Sequence, residues 1–193
     1  MKKSEFIIKP IGKVCKLCGK EVLVVKLTNQ NLKLCKECFN RIQEKRVKEV
    51  VEKYKMFDMN DNIGIYLSGG KDSLSLAFIL KKIFPDYNFK AIFLNLGIKH
   101  FSDYSQKIVE EFSDNLKLPL YVYNLQQKEG FSIDDFVFTK FKNKICSVCG
   151  TIKRYLFSKI AKELKLTVIA TGHHMDDLVV TYLDLFFTGD FFS

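Results

Sequence analysis

The residues of this 193-residue chain with the clearest chemical potential are its six cysteines. They form three pairs of one C-x-x-C spacing, Cys15/Cys18, Cys35/Cys38 and Cys146/Cys149. Disulfide scaffolds spread cysteines through short secreted chains, whereas paired C-x-x-C in a chain of cytosolic character indicates metal or redox chemistry. The cysteines therefore predict metal or sulfur chemistry.

The first two pairs are separated by sixteen residues, a spacing within the range of zinc ribbons. Four thiolates on two such turns offer tetrahedral geometry to Zn²⁺, and the metal would supply the folding energy that so small a block lacks. We expect residues 1–40 to form this ribbon, with a strand over Glu21–Leu27 and a hairpin turn over Thr28–Asn31. Two disulfides or free thiols are the alternative.

A second chemical motif, SGGKDS, spans Ser68–Ser73 and follows a short apolar segment. Its two glycines let backbone N–H groups approach a ligand closely, and a helix N-terminus adds positive partial charge. Lys71 supplies a full charge, and the two serine hydroxyls can donate to phosphate oxygens. The spacing is not that of a Walker loop. The motif predicts a phosphate-binding loop, the alternative being an exposed turn with a helix cap.

Two further motifs lie nearer the end of the chain. Cys146 and Cys149 precede Lys153 and Arg154 at an expected helix start, a setting that favours reactive or metal-ligating thiolates. The segment ATGHHMDD, at 170–177, follows an expected strand, and open α/β sheets bind ligands at the carboxyl ends of their strands. Taken singly, its histidines would be solvated loop residues and its aspartates a helix cap. Together with the other motifs they indicate one functional site.

Alternating strands and helices are expected to position these motifs. The expected strands are Ile63–Leu67, Ala91–Leu96, Leu120–Tyr123 and Thr167–Ala170. Helices are expected from Ser73 to before Pro85, and over 102–117, 150–165 and 176–187. Such alternation predicts an α/β fold with a parallel, Rossmann-like sheet covered by helices.

The expected domain order is a zinc ribbon over 1–40, a connector helix over 41–60 and the α/β domain over 61–193. The connector is the basic amphipathic segment Arg41–Phe57. Its lysines and arginines favour a solvated helix face over a nucleic-acid site.

Charge and hydrophobicity limit the class of protein. The net charge is 31 − 22 = +9 and the sequence pI is about 9.2, which favours a polyanionic partner, although a lysine-rich composition bias is the alternative. No segment approaches the roughly 18 apolar residues of a membrane span, and the start of the chain lacks a signal-peptide core. We expect a cytoplasmic protein that is neither secreted nor embedded in a membrane.

The phosphate-loop motif SGGKDS resembles the PP-loop of the ATP pyrophosphatases. With CSVCG at 146–150 and GHHMDD at 172–177, the chain is most similar to the tRNA 2-thiouridine synthetases that carry an N-terminal zinc ribbon. Gly97–Ser102 (GIKHFS) resembles the GIxxYS segment of that group, with Phe101 in place of tyrosine. The resemblance implies a sulfurtransferase that adenylates the O2 of a uridine, specifically a T-loop uridine, and replaces that oxygen with sulfur.

The resemblance also implies cofactors and residue roles. The cofactors are ATP, Mg²⁺, Zn²⁺ and a 4Fe–4S cluster. ATP-binding residues are Ser68, Gly69, Gly70, Lys71, Asp72, Ser73, Gly172 and His173. Zinc ligands are Cys15, Cys18, Cys35 and Cys38, cluster ligands are Cys146 and Cys149, and catalytic residues are Lys153 and Asp177. The implied partners are tRNA, a sulfur donor (a ubiquitin-like thiocarboxylate protein or sulfide) and a second copy in a homodimer.

One departure from the family affects the cluster. The family takes a third cluster cysteine from beyond the GHxxDD region, whereas all six cysteines of this chain already have roles. We therefore expect a chain shortened at its C-terminus, with an incomplete cluster. The alternatives are a tRNA 2-thiocytidine or wobble 2-thiouridine synthetase, another PP-loop enzyme, and a non-catalytic module that binds ATP or RNA.

Overall fold

The computed structural model of the chain describes residues 14–21, 25–27 and 31–188. They belong to two compact units, the first ending at Met56 and the second beginning at Phe57. In the first unit, strand β1 (Val25–Leu27) pairs antiparallel with β2 (Leu32–Leu34). This pairing confirms the expected hairpin, although residues 22–24 of its first strand and 28–30 of its turn lie outside the described residues.

Helix α1 completes the first unit and spans Lys36–Tyr54. The expected connector helix, at 41–57, therefore begins five residues too late and ends three too late. The helix starts early because it begins within the second C-x-x-C pair: Cys35 is the N-cap residue and Cys38 lies in the first turn. Leu34 and three of the cysteines, Cys15, Cys35 and Cys38, form the buried core of this unit.

The second unit contains a four-stranded sheet of order β5-β4-β3-β6, in which every neighbouring pair is parallel. Its strands are β3 (Asn62–Leu67), β4 (Asn88–Asn95), β5 (Leu120–Asn124) and β6 (Val168–Thr171). The chain proceeds outward from β3 to β5 and then returns to place β6 on the opposite side of β3. The carboxyl ends of β3 and β6 thus meet where the strand order reverses, which is the usual ligand position in such sheets.

Five α-helices lie between or after these strands in the described residues. They are α2 (Lys71–Ile83), α3 (Ser102–Leu116), α4 (Leu125–Glu129), α5 (Ile145–Glu163) and α6 (Met175–Thr188), with a 3₁₀-helix over Asp134–Phe138. The α/β fold class predicted from the alternation is confirmed. No helix in the described part of the chain is long and apolar enough to cross a membrane.

Two strands and two short helices of the second unit also differ from the sequence-based expectation. Strand β4 begins three residues earlier, because Asn88–Lys90 pair in register with Asn62–Gly64. Strand β6 is shifted by one residue, because its ladder with β3 begins at Val168, opposite Ile63. At Thr167 the hydroxyl, and not the carbonyl, accepts the backbone N–H of Asn62, at 2.9 Å. The short helix α4 and the 3₁₀-helix were not expected, since five residues are too few to show a helical period.

Helix α5 begins at Ile145 and not near residue 150 as expected. Ile145, Cys149 and Ile152 follow one another at helical spacing and pack against the main core cluster. Burial of this stripe extends the helix toward its N-terminus. The third C-x-x-C pair of the chain, Cys146/Cys149, therefore lies at the start of α5 itself.

Gly64 gives a test of how tightly this sheet is packed. A methyl group at this position would meet Leu166 and would lie 2.8 Å from Cδ1 of the buried Ile92. We expect Gly64→Ala to lower the free energy of unfolding in urea by about 1–3 kcal/mol, the usual cost of overpacking a core.

Gly150→Ala is the matched control. The added methyl group would meet only the end of the Arg154 side chain, at 3.5 Å, and alanine favours the helix. It should leave the unfolding free energy unchanged or raise it. Equal effects of the two substitutions would contradict the packing described for Gly64.

Candidate functional site

The phosphate-loop motif is held in shape by its own two serines. The Oγ of the buried Ser73 accepts the backbone N–H of Ser68 at 3.1 Å, lies 3.1 Å from the Oγ of Ser68, and donates to the carbonyl of Gly70 at 3.1 Å. Gly69 has a φ of +79°, and a Cβ there would lie 3.2 Å from the Cβ of Ser105 on α3. The loop is therefore a fixed turn whose backbone N–H groups are positioned before any ligand arrives.

Charged side chains follow directly at the first turn of α2. The ammonium of Lys71 contacts both carboxylate oxygens of Asp72, at 2.8 and 3.0 Å, and both side chains are largely exposed. The hydrogen bond from Lys71 is the main cause that holds the pKa of Asp72 below its usual range. Because this ion pair is exposed, the ammonium and the carboxylate could separate, the first to contact a phosphate and the second to contact a metal cation bound to that phosphate.

The end of β6 touches this loop directly. A Cβ on Gly172 would lie 2.8 Å from both the backbone N and the Cα of Ser73, and 3.1 Å from the carbonyl carbon of Asp72. Only glycine allows the two backbones this close. His173 follows, with its Nδ1 2.9 Å from the Oγ1 of Thr171 and its ring exposed. The sequence motifs SGGKDS and GHHMDD are thus brought together as expected.

A cavity of about 500 Å³ opens above this contact, at the carboxyl edge of the sheet. Four segments supply its polar walls: the phosphate loop, residues 98–102, the middle of α5 and residues 171–173. Of the predicted site residues, those lining it are Ser68, Gly70, Asp72, Ser73, Lys153, Gly172 and His173. Six further side chains of its lining, largely apolar, were not anticipated from the sequence; they are Tyr66, Leu67, Phe93, Leu94, Leu96 and Phe157.

The segment GIKHFS forms one wall of the cavity. Gly97 has a φ of +71°, and a Cβ there would lie 2.6 Å from the Cβ of Ser132. The hydroxyl of Ser102 accepts the backbone N–H of Ile98 at 3.0 Å, which closes the turn before α3. Phe101, which stands in place of the family's tyrosine, lines the cavity and is 59% exposed.

Helix α5 carries both a predicted cysteine pair and a predicted catalytic lysine. Lys153 and Arg154 line the cavity, whereas the exposed Cys146 and the half-buried Cys149 lie in the preceding turns and do not. Arg154 follows the two cysteines in the sequence, and in the structure it is a second cation that lines the cavity. The helix therefore presents positive charge to the cavity and thiols beside it.

An ion pair and a buried tyrosine fix α5 against its neighbours. Lys159 donates to Glu129, at the end of α4, at 2.5 Å and to the hydroxyl of the fully buried Tyr123 at 3.1 Å. Tyr123 in turn donates to Glu129. The hydrogen bond from Lys159 is the main cause that lowers the pKa of Glu129, and the bond to Glu129 likewise raises that of Lys159.

Asp177, the second predicted catalytic residue, is not among the residues that line the cavity. Its carboxylate accepts the backbone N–H of His174 at 2.8 Å and caps the N-terminus of α6. Large apolar side chains of α6, including Met175, Leu178 and Phe187, are more than 60% exposed.

The four N-terminal cysteines form a separate cluster in the first unit. Their Sγ atoms all lie within 4.8 Å of one another, and within the described residues this is the one group of three or more potential metal ligands. Burial acts to raise the pKa of Cys15, but backbone N–H groups, that of Cys35 foremost, outweigh it and lower the pKa to about 6. Burial and the adjacent thiols raise the pKa of Cys38 to about 12.

Comparison with known proteins agrees with the fold and with these motifs. A sequence profile described as the PP-loop domain matches residues 39–193. The tRNA-5-methyluridine(54) 2-sulfurtransferase of Thermotoga maritima is 38% identical over 163 residues, which cover 84% of this chain and 53% of that protein. The cytoplasmic tRNA 2-thiolation protein 1 of Scheffersomyces stipitis is 29% identical over 184 residues, covering 93% and 49%.

A solved structure shows the same architecture. The U34-tRNA thiolase NcsA from Methanococcus maripaludis, determined with its [4Fe-4S] cluster, superimposes with a TM-score of 0.79 at 26% identity, covering 94% of this chain and 60% of that one. The chain spans about half the length of the curated relatives that it matches first. These matches confirm the resemblance drawn from SGGKDS and GHHMDD: the chain belongs to the PP-loop domain family.

Proposed function

We propose that the protein is an ATP-dependent tRNA sulfurtransferase that converts a T-loop uridine to 2-thiouridine. The observation that carries this proposal is the single cavity at which the phosphate loop, the end of β6 and Lys153 of α5 meet. The names of relatives from Thermotoga maritima and Pyrococcus horikoshii support the choice of uridine 54. The wobble uridine is the second candidate, because the structural neighbour is a U34-tRNA thiolase.

The triphosphate of ATP would lie at the N-terminus of α2. Backbone N–H groups of the first turn of α2, which begins at Lys71, have no acceptor within the helix and would donate to its oxygens. The Lys71 ammonium would supply the countercharge, and the Ser73 hydroxyl would reach a phosphate oxygen by exchanging its bond to the Gly70 carbonyl. Gly172 and His173 complete the nucleotide site from the opposite side. Asp72, the carboxylate of the loop, is the proposed ligand for Mg²⁺, which prefers oxygen donors and accompanies the phosphates.

The reaction proceeds in two displacements. The uridine O2 attacks the α-phosphorus of ATP and pyrophosphate leaves, so that O2 becomes part of an AMP leaving group. A hydrosulfide sulfur then adds to C2, the C2–O2 bond breaks, and AMP departs. Lys153, which lines the cavity, would stabilise the negative charge that develops in both steps. Asp177 is proposed as the second catalytic residue because it matches the family motif, although its carboxylate caps α6 in this structure.

The thiols of Cys146 and Cys149 are the proposed ligands on this chain for the kind of cluster that NcsA contains. Two thiolates do not satisfy the four irons of a cubane. The described residues place no third potential ligand with them. These residues alone therefore do not complete a cluster site. The proposed sulfur donor is sulfide or a ubiquitin-like thiocarboxylate protein, and it would react beside the two thiols. We also propose a cytoplasmic location and a homodimeric assembly.

Zn²⁺ is the proposed metal of the N-terminal cluster. Tetrahedral Zn–S bonds of about 2.3 Å place sulfurs roughly 3.8 Å apart. The Sγ atoms of Cys18 and Cys35 lie 3.6 Å apart and all four lie within 4.8 Å, so the donor set fits this ion. The bound ion would replace the thiol protons and hold the hairpin, the first C-x-x-C turn and the start of α1 together.

The zinc proposal predicts one tightly bound Zn²⁺ per chain. Cys35→Ser should abolish zinc binding and unfold the ribbon, because structural zinc contributes on the order of 10 kcal/mol to folding. Elemental analysis of protein purified without chelator and circular dichroism would measure both effects. Cys146→Ser, outside the cluster, is the matched control and should retain the zinc; absence of zinc from the parent protein would refute the proposal.

The catalytic proposal predicts that exchange of labelled pyrophosphate into ATP depends on tRNA and on the phosphate loop. Lys71→Ala and Asp72→Ala should each lower exchange by at least about 100-fold, since removal of one charge-stabilising group costs that much in comparable sites. Their melting temperatures should stay near that of the parent, because both side chains are exposed.

Lys107→Ala, an exposed lysine on α3, is the control and should exchange pyrophosphate like the parent protein. Mass spectrometry of tRNA nucleosides after incubation with ATP, Mg²⁺ and sulfide would locate 2-thiouridine at position 54 or 34. If Lys71→Ala exchanged pyrophosphate as fast as the parent protein, the assignment of Ser68–Ser73 as the phosphate-binding loop would be wrong. If the parent exchanged pyrophosphate without tRNA, the proposal that tRNA is the substrate would be wrong.

A further inference from the structure

Positive charge is concentrated in one part of the second unit. Residues 136–162 contain seven lysines and arginines and no aspartate or glutamate. The seven are Lys140, Lys142, Lys144, Lys153, Arg154, Lys159 and Lys162. Since the whole chain has a net charge of +9, this continuous segment carries most of the excess. Such a field attracts polyanions.

Large apolar side chains, two of them aromatic, are exposed within the same segment. Phe138 is 90% exposed, Val137 is 49% exposed and Phe141 is 40% exposed. The ammonium of Lys140 lies 5.3 Å from the ring centroid of Phe141, within cation–π range. We name residues 137–144 the aromatic–basic patch. It combines flat apolar surface with three lysines, a pairing that an ordinary solvated loop does not need.

The patch is an ordered structure with defined backbone hydrogen bonds. The hydroxyl of Thr139 accepts the N–H of Phe141 at 3.1 Å, and the N–H of Lys144 donates to the carbonyl of Phe141 at 2.8 Å. The ring of Phe141 packs edge-on against Phe136, with centroids 6.4 Å apart. Phe138 is therefore exposed on a hydrogen-bonded turn, and the turn is fixed by the contact between Phe141 and Phe136, which itself packs against the core.

The nearest acidic residues in sequence are already engaged by the chain itself. Asp134 accepts the backbone N–H of Lys99 at 2.8 Å, and Asp135 accepts the backbone N–H of Ser132 at 2.6 Å. Their carboxylates are thus tied to backbone donors before the patch begins. The patch lysines are left to interact with an external anion.

We propose that the aromatic–basic patch binds the RNA substrate, with an unpaired base stacked on Phe138 and backbone phosphates on Lys140, Lys142 and Lys144. Aromatic stacking with flanking cations is the usual way in which proteins hold unpaired nucleotides. The patch leads directly into α5, whose Gly150 and Lys153 line the cavity, so RNA bound there lies on the element that also forms the reaction site. This inference rests on the proposed function, because it assigns the surface that receives the same tRNA.

The charge component is tested by the salt dependence of tRNA binding. Lys140→Gln/Lys142→Gln should weaken binding and make the slope of log K against log salt concentration shallower. Each lost phosphate contact contributes roughly 0.7–0.9 to that slope, so the loss of two should reduce it by about 1.4–1.8. Lys107→Gln/Lys117→Gln, on α3 and at its C-cap, removes the same charge from the same unit and should leave the slope unchanged. Equal slopes for the two double variants would overturn the inference.

The stacking component is tested at Phe138. Phe138→Leu should weaken binding of tRNA by about tenfold, whereas Phe138→Tyr, which keeps an aromatic face, should bind like the parent. Binding of a blunt RNA duplex should respond to neither change. Since the side chain is 90% exposed, both variants should fold normally, which circular dichroism checks. An equal loss for leucine and tyrosine, or none for leucine, would overturn the stacking role.

Failure of this inference can be separated from failure of the proposed function. If the parent protein shows tRNA-dependent pyrophosphate exchange while the patch variants bind tRNA normally, the patch assignment is wrong and the proposed function stands. If those variants instead lose binding of an acidic sulfur-carrier protein, the patch is a protein-docking surface and the proposal fails. If the parent binds ATP but no tRNA, both fail.

Discussion

The close backbone approach between Gly172 and the start of α2 is the constraint on which the second unit's site depends. A Cβ on Gly172 would lie 2.8 Å from the backbone of Ser73. This contact joins two strands that are far apart in sequence, because β3 delivers the phosphate loop and β6 delivers the residues opposite it. The cavity then lies between the two strand ends, and its remaining walls come from the elements that cross over them.

The general arrangement could be predicted from the sequence because each strand and helix carries its own periodic signal. The loop Ser68–Ser73 was placed correctly, since two glycines and a lysine between an apolar strand and an apolar helix have few other structural solutions. Gly172 and His173 were likewise placed beside the loop from their position after a strand. These motifs are local, and local patterns are what a sequence displays.

The remaining features depend on contacts between distant residues, which leave no local pattern. The apolar lining at Phe93 and Phe157 is indistinguishable in sequence from ordinary core. Helix α4 is too short to show a period, although Asn124 before it and Gly130 after it are typical caps. The early start of α5 depends on Ile145 packing against a core built from other elements. The role of Asp177 stays a prediction because its position relative to the cavity depends on α6, whose apolar side chains are exposed.

The anchor between Lys159 and Glu129 has a consequence for how the protein responds to pH. The folded-state pKa of Glu129 is depressed, so its contribution to stability is present above the ordinary glutamate pKa and is lost as the pH falls through the folded value. The pKa of Lys159 is raised, so its contribution is complete below the ordinary lysine pKa and is lost only in strong alkali. The anchor is therefore insensitive to pH across the neutral range. Acid releases it by protonating Glu129, and α5 then loses its ion pair to the end of α4 while its apolar side chains stay packed against the core.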